Sequence, residues 1–350
     1  MVFYYISDSK FLKRMIREYL KLARSFNAVL TGVSPVMGAI AMGQNNILTL
    51  FLLFLVGFFG HTYGFVLNDI IDYKIDKSSK EISDRPLISG TISIKKAWIF
   101  AFIAILIAMV ISGYIAINTQ SLYPIVILGI AAFFITVYDL ISKKFPGMDI
   151  FVALGVFFLI LYGASTVTGN LTGISRLAWF VCILGAIQVL FMQFIAGGMK
   201  DIENDYKMGA KTVAVKMGVR VTDGLLKVST SYKILAYGIQ LVDLIVVFLP
   251  FFIIWGVSNL TFLQYVQWSV IILIGIIMFY LSYKLLSMKT FQRKKARMLI
   301  GSHYMINFMI VPIMLMSLNP WAGILIFFPG LGFILNNLIL HGTLLQPKTM

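Results

Sequence analysis

Residues 47–76, ILTLFLLFLVGFFGHTYGFVLNDIIDYKID, decide the fold. From Ile47 to Leu67 there is no charged residue, and the run is long enough to cross about 30 Å of hydrocarbon as a helix. It ends in an acidic cluster, Asn68-Asp69-Ile70-Ile71-Asp72-Tyr73-Lys74-Ile75-Asp76. At helical pitch, residues four apart are rotated by only about 40°, so Asn68, Asp72 and Asp76 are expected to form one ladder. A second cluster, Asp201-Ile202-Glu203-Asn204-Asp205, closes a later apolar run and sets Asp201 and Asp205 in the same relation. Two ladders of oxygen ligands suggest Mg²⁺ and a diphosphate, because a hard cation takes carboxylates together with substrate phosphate oxygens.

Working outward, the whole chain is of one kind. Its 350 residues are 59% apolar and only 12% charged, with a mean hydropathy of +0.91. Soluble domains are about half apolar and a quarter charged, so this is an integral membrane protein, all-α, folded as a polytopic helix bundle. Spans are expected near 26–43, 47–67, 97–117, 122–141, 149–169, 177–198, 232–255, 265–286 and 300–318. A tenth apolar stretch, 321–341, carries Pro329, Gly330, Gly332, Asn336 and Asn337 and is expected to be broken or interfacial. No linker rich in Pro, Gly or Ser divides the chain, which reads as a single domain, 1–350, with a coarse two-part symmetry around the acidic clusters.

Charge placement orients the bundle. Of the 29 Lys and Arg, 27 fall in the first 25 residues and in 68–97, 142–148, 199–233 and 284–297, and only Arg176 is in a loop on the other side. By the positive-inside rule the N-terminus and these loops are cytoplasmic, and the chemistry with them. Within 8–24, Phe11, Leu12, Met15, Ile16, Tyr19 and Leu20 share one face and the basic residues the other, so residues 1–25 are expected to lie as an amphipathic helix on the inner leaflet. The competing reading is a signal peptide, but the charged lead is long and no soluble domain follows. The net charge of +15 is spread over membrane loops beside carboxylates, which favours phosphate substrates and anionic headgroups over nucleic acid.

Other chemistry finds little footing. Cys182 is the single cysteine, so no intramolecular disulfide or Cys/His zinc spacing exists, and no phosphate loop or nucleophile elbow occurs. His303 and His341 read as hydrogen-bonded bundle residues. His61, two turns before Asn68, is placed to face a cavity. Asp243 alone among the acids lies well inside a span and should face a partner or a cavity. Glycines such as Gly32, Gly38, Gly57, Gly60 and Gly163 read as close helix contacts.

At these clusters the sequence resembles the UbiA superfamily of intramembrane prenyltransferases. Asn68, Asp69, Asp72 and Asp76 match its first signature, with Arg85-Pro86 behind; Asp201, Glu203, Asp205, Gly209, Lys211 and Thr212 match its second. The resemblance covers most of the chain to about residue 318, and a tenth helix would depart from the family's nine. It implies transfer of an isoprenoid chain, geranyl to geranylgeranyl or longer, from a prenyl diphosphate to a lipophilic acceptor. The acceptor would be an aromatic quinone precursor, a prenylglycerol phosphate, or a porphyrin-type or carotenoid substrate.

In that reading Asn68, Asp72, Asp76, Asp201 and Asp205 hold Mg²⁺, and Lys77, Arg85, Lys144 and Lys211 meet the charge of the departing diphosphate. Asp205 or Asp72 takes the proton lost by the acceptor, and Tyr138 is the aromatic nearest the allylic cation. Arg24-Ser25-Phe26-Asn27 is similar to the Arg-x-x-Asn of archaeal members making digeranylgeranylglyceryl phosphate, which would give Arg24 and Asn27 an anionic acceptor. Two other classes remain. A cation-coupled transporter would need acids near the bilayer midplane, and a phosphoalcohol transferase would need an Asp-Gly-x-x-Ala-Arg pattern that this chain lacks.

Overall fold

The computed structural model of the protein describes residues 2–77, 82–142 and 145–344. Helix α1 (Val2–Leu22) leads into α2 (Ser25–Ala41), α3 (Ile47–Ile71), α4 (Ile94–Thr119), α5 (Tyr123–Ile141) and α6 (Asp149–Thr168). Then follow α7 (Arg176–Lys200), α8 (Thr230–Trp255), α9 (Phe262–Leu286), α10 (Arg293–Leu315) and α11 (Ala322–His341). Among the described residues α3 to α11, nine helices, are long and apolar enough to cross a membrane; α2, at 17 residues, is a shorter apolar helix. The interrupted tenth stretch is α11, whose middle, Pro329–Leu335, widens into π-helical turns. The span expected at 300–318 begins earlier, at Arg293, so four basic residues, Arg293, Lys294, Lys295 and Arg297, occupy its first turns.

The starts of α3, α4, α7, α8 and α9 are set by side chains that accept from orphan backbone donors, as Asn46 does from the Thr49 amide at 3.0 Å. Thr261 and Gln264 form a reciprocal capping box at the start of α9. Where two helices meet without side chains between them, glycine is the reason. A methyl group added at Gly163 of α6 would lie 1.8 Å from the Pro35 carbonyl oxygen of α2, and one at Gly38 2.1 Å from that of Ile160. Gly60 does not serve this purpose: nothing stands within 4 Å of its added methyl, and it opens onto a cavity.

The apolar face of α1 leaves Phe11, Leu12, Ile16 and Leu20 exposed, the surface a membrane interface would cover. Its inner end is fastened to α11, where the Arg17 guanidinium donates to the Leu340 carbonyl at 2.7 and 3.2 Å, while Phe26 of α2 packs edge-on against Phe333. A small hairpin, β1 (Arg220–Thr222) with β2 (Leu225–Lys227), follows α7, and the Leu226 amide donates to the Lys289 carbonyl at 2.8 Å. The loop before α10 is thereby tied to the loop after α7. Asp243 of α8 is buried, and neither of its carboxyl oxygens has a hydrogen-bond partner among the described residues. His303 is a bundle residue, 2.6 Å from Gln240 and stacked on Phe191.

Candidate active site

Both acidic clusters sit at the same kind of break. The α3 helix ends at Ile71 with Asp72 as its C-cap (φ −79°, ψ −4°), and one short turn, Tyr73–Asp76, follows. The α7 helix, after π-helical turns at Met192–Gly197, stops before Asp201 at φ −107°, ψ 6°, and Ile202–Lys207 follows. Backbone bonds four residues apart nonetheless run on through each break: Asp76 to Asp72 and Asp205 to Asp201, both 2.9 Å. The ladder spacing therefore survives while the chain bends.

The two breaks border one cavity of about 1040 Å³. Asn68, Asp72, Asp76, Asp201, Asp205, Tyr138, Arg24, Asn27, Arg85 and Lys211 all line it. Lys77 does not: one residue past Asp76 the chain has turned outward, and its ammonium stands exposed over the Tyr73 ring, 5.7 Å from the centroid. Lys144 lies outside the described residues. Away from the charged end the walls are apolar, with Ile105, Leu128, Ala131, Val156 and Leu159 among them.

A buried network that the sequence did not reveal organises the charged end. Asp69 accepts from Arg24 at 2.7 Å and from Arg85 at 3.4 Å, and Arg85 also donates to Asp76 at 2.5 Å. Asp201 is held by Arg293 of α10 at 2.7 Å and by Lys200 at 3.3 Å. Arg24 reaches Asp69 because its own backbone is left-handed, φ 45°, ψ 49°, a conformation that costs a non-glycine residue about 1–2 kcal/mol and here turns the chain from α1 into α2. Its guanidinium lies over the Phe65 ring, 4.7 Å from the centroid. Burial lowers its pKa below the ordinary guanidinium value, and Asp69 works in the opposite direction.

Further polar groups in the cavity also escaped the sequence reading. Asp139 accepts from the Asn68 amide at 3.3 Å, and Tyr138 stands 3.5 Å from Asp149. Each is a single acid at the end of an apolar span, which is the one signal that could have found them. Among the described residues no three His, Cys, Asp or Glu side chains stand close enough to hold a metal ion by themselves. That fits Mg²⁺ bound with substrate, since it is commonly held by one or two carboxylates plus phosphate oxygens and water.

A cavity with apolar walls along membrane helices and a mouth of paired acids and cations defines an intramembrane enzyme acting on a molecule with a hydrocarbon body and an anionic head. The sequence profile of the UbiA prenyltransferase family matches residues 28–306, so the chain belongs to that family and is an intramembrane prenyltransferase. It is similar to the digeranylgeranylglyceryl phosphate synthase of Pyrococcus abyssi, 28% identical over 237 residues, 65% of this chain and 80% of that one. The enzyme of the same name from Thermococcus kodakarensis is 30% identical over 204 residues, 58% of this chain and 69% of that one. A UbiA homologue from Archaeoglobus fulgidus, solved with GPP and Mg²⁺, shares the fold at a TM-score of 0.59 and 16% identity, covering 84% of this chain and 99% of that one. No support attaches to the transporter alternative: the acids lining the cavity gather at its charged end, next to helix breaks.

Proposed function

We propose that the protein transfers an isoprenoid chain from a prenyl diphosphate to the free hydroxyl of a prenylglyceryl phosphate. The observation that carries this is a single cavity bordered by both acidic breaks and by Arg24 and Asn27. The relatives named for digeranylgeranylglyceryl phosphate synthesis support the same acceptor. Asn68, Asp72, Asp76, Asp201 and Asp205 would hold Mg²⁺, which supplies charge neutralisation of the diphosphate as the C–O bond ionises.

The protein's own residues do the rest. Arg85 and Lys211 face the diphosphate end, Arg85 as a planar donor fork and Lys211 as a point charge. The apolar walls take the hydrocarbon tail, each buried methylene contributing about 0.8 kcal/mol, and they exclude the water that would quench an allylic cation. Tyr138 lines the cavity at the end of α5, where a ring face stabilises positive charge. Asp205 or Asp72 receives the acceptor's proton. The clustering of Lys and Arg in the loops at this end supports a cytoplasmic mouth and N-terminus.

The test is a turnover assay in nanodiscs with geranylgeranyl diphosphate, Mg²⁺ and a panel of geranylgeranylglyceryl phosphate, 4-hydroxybenzoate and a naphthoate. Product from the first acceptor alone is expected, abolished by EDTA, restored by Mg²⁺ and lost in Asp72→Asn and Asp205→Asn. Prenylation of the aromatics instead, or turnover in EDTA, would overturn the corresponding part of the proposal.

A further inference from the structure

One side chain on the cavity wall is held in place and has no assigned task. His61 of α3 is 8% exposed and lines the cavity, and its Nε2 is buried without a hydrogen-bond partner. Its ring is fixed from two directions. Nδ1 is 2.8 Å from the Thr31 hydroxyl of α2, and the ring stacks on Phe65 with centroids 4.1 Å apart. Phe65 is the same ring over which Arg24 lies.

The hydroxyl's one proton favours one tautomer. Thr31 stands 3.5 Å from the Asn27 carbonyl one turn back, the usual acceptor for a helical threonine. With that proton directed there, Thr31 accepts from His61 Nδ1–H, and the buried Nε2 keeps an unshared lone pair in the cavity wall. Arg24, Asn27 and Thr31 recur at three- and four-residue spacing, so they share one face of the chain entering α2, and all three line the cavity. Asn27 Oδ1 and Arg24 Nε are also buried without a hydrogen-bond partner. His61 lies seven residues before Asn68 on α3, about 10 Å deeper along the helix. The wall thus offers a cation near its charged end and hydrogen-bond acceptors below it.

The geometry points to a subsite in which His61 Nε2 accepts a hydrogen bond from the acceptor's hydroxyl as the acceptor binds, with Thr31 and Phe65 holding the imidazole and Arg24 meeting the anionic end of the same molecule; the contact is one of recognition, and the hydroxyl turns from Nε2 when it gives its proton to Asp205 or Asp72. The inference rests on the alcohol acceptor proposed above and adds the residue that recognises the hydroxyl. An acceptor lacking a hydroxyl leaves Nε2 buried and unpaired, so discrimination arises from that penalty as much as from the bond formed.

The experiment compares geranylgeranylglyceryl phosphate with its analogue bearing hydrogen in place of the free hydroxyl, used as an inhibitor, in wild type, His61→Phe and His61→Gln. Wild type should prefer the alcohol (KM against Ki) by about tenfold. His61→Phe should lose that preference while its KM for the prenyl diphosphate stays within twofold, and His61→Gln should recover part of it. If His61→Phe does not fold, Thr31→Val, which frees Nδ1, should weaken the same preference.

A retained tenfold preference in the folded variants would overturn the subsite and leave prenyl transfer to the alcohol standing. Prenylation of an aromatic acceptor with none of the alcohol would sink the acceptor assignment, and the subsite with it.

Discussion

Replacing Asp69 by Asn tests the centre of the buried charge network. The carboxylate is 5% exposed and takes hydrogen bonds from Arg24 at 2.7 Å and Arg85 at 3.4 Å. The longer contact is weak, and Arg85 keeps Asp76, so Arg24 bears most of the loss. A hydrogen bond to a charged group is worth about 1.5–3 kcal/mol net, and stranding one member of a buried pair costs about 3–5 kcal/mol. Arg24 is itself only 9% exposed but retains the Phe65 ring face, which places the expected cost near the lower bound, about 3 kcal/mol. That is about two powers of ten in the folded-to-unfolded ratio. The assay is SDS-driven unfolding in mixed micelles followed by tryptophan fluorescence. Adding Arg24→Met should return much of the loss, because the stranded cation is then gone. A cost below about 1 kcal/mol, or simple additivity in the double variant, would refute the view of Arg24 and Asp69 as an interdependent buried pair.

Two further predictions use the packing and the cavity lining. Gly163→Ala drives a methyl into the Pro35 carbonyl and should cost at least about 1–3 kcal/mol, read as a lower thermal midpoint, whereas Gly113→Ala on α4, with nothing within 4 Å, should be neutral or mildly stabilising; equal effects would discount the α2–α6 contact. Lys211→Ala should raise the KM for prenyl diphosphate by about tenfold, and Lys77→Ala, which removes a side chain outside the cavity, by less than threefold; the reverse order would mean that the mouth rearranges on binding.

The acidic ladders and the membrane helices were legible in the sequence because both are local patterns: four-residue spacing, and uninterrupted apolar length. Lys77 was a candidate because it follows the first acidic cluster closely, but nearness along the chain did not show that its side chain would lie exposed over Tyr73 instead of lining the cavity. Arg24 with Asp69, and Arg293 with Asp201, could not be read, since pairing across 45 and 92 residues depends on which helices become neighbours. Asp139 and Asp149 were passed over because each is solitary in the chain and becomes part of a group only when α5 and α6 meet around the cavity.

The hydrogen bonds from Arg17 to the Leu340 carbonyl join residues 323 positions apart. Translation delivers Arg17 323 residues before Leu340, so α1 emerges long before its docking partner exists. Arg293, which neutralises Asp201, is likewise synthesised well after the carboxylate it serves. Among the described helices, the first is therefore fastened by the last. At one stage of synthesis, then, α2 to α10 have been made while α11, which holds α1, is still to come.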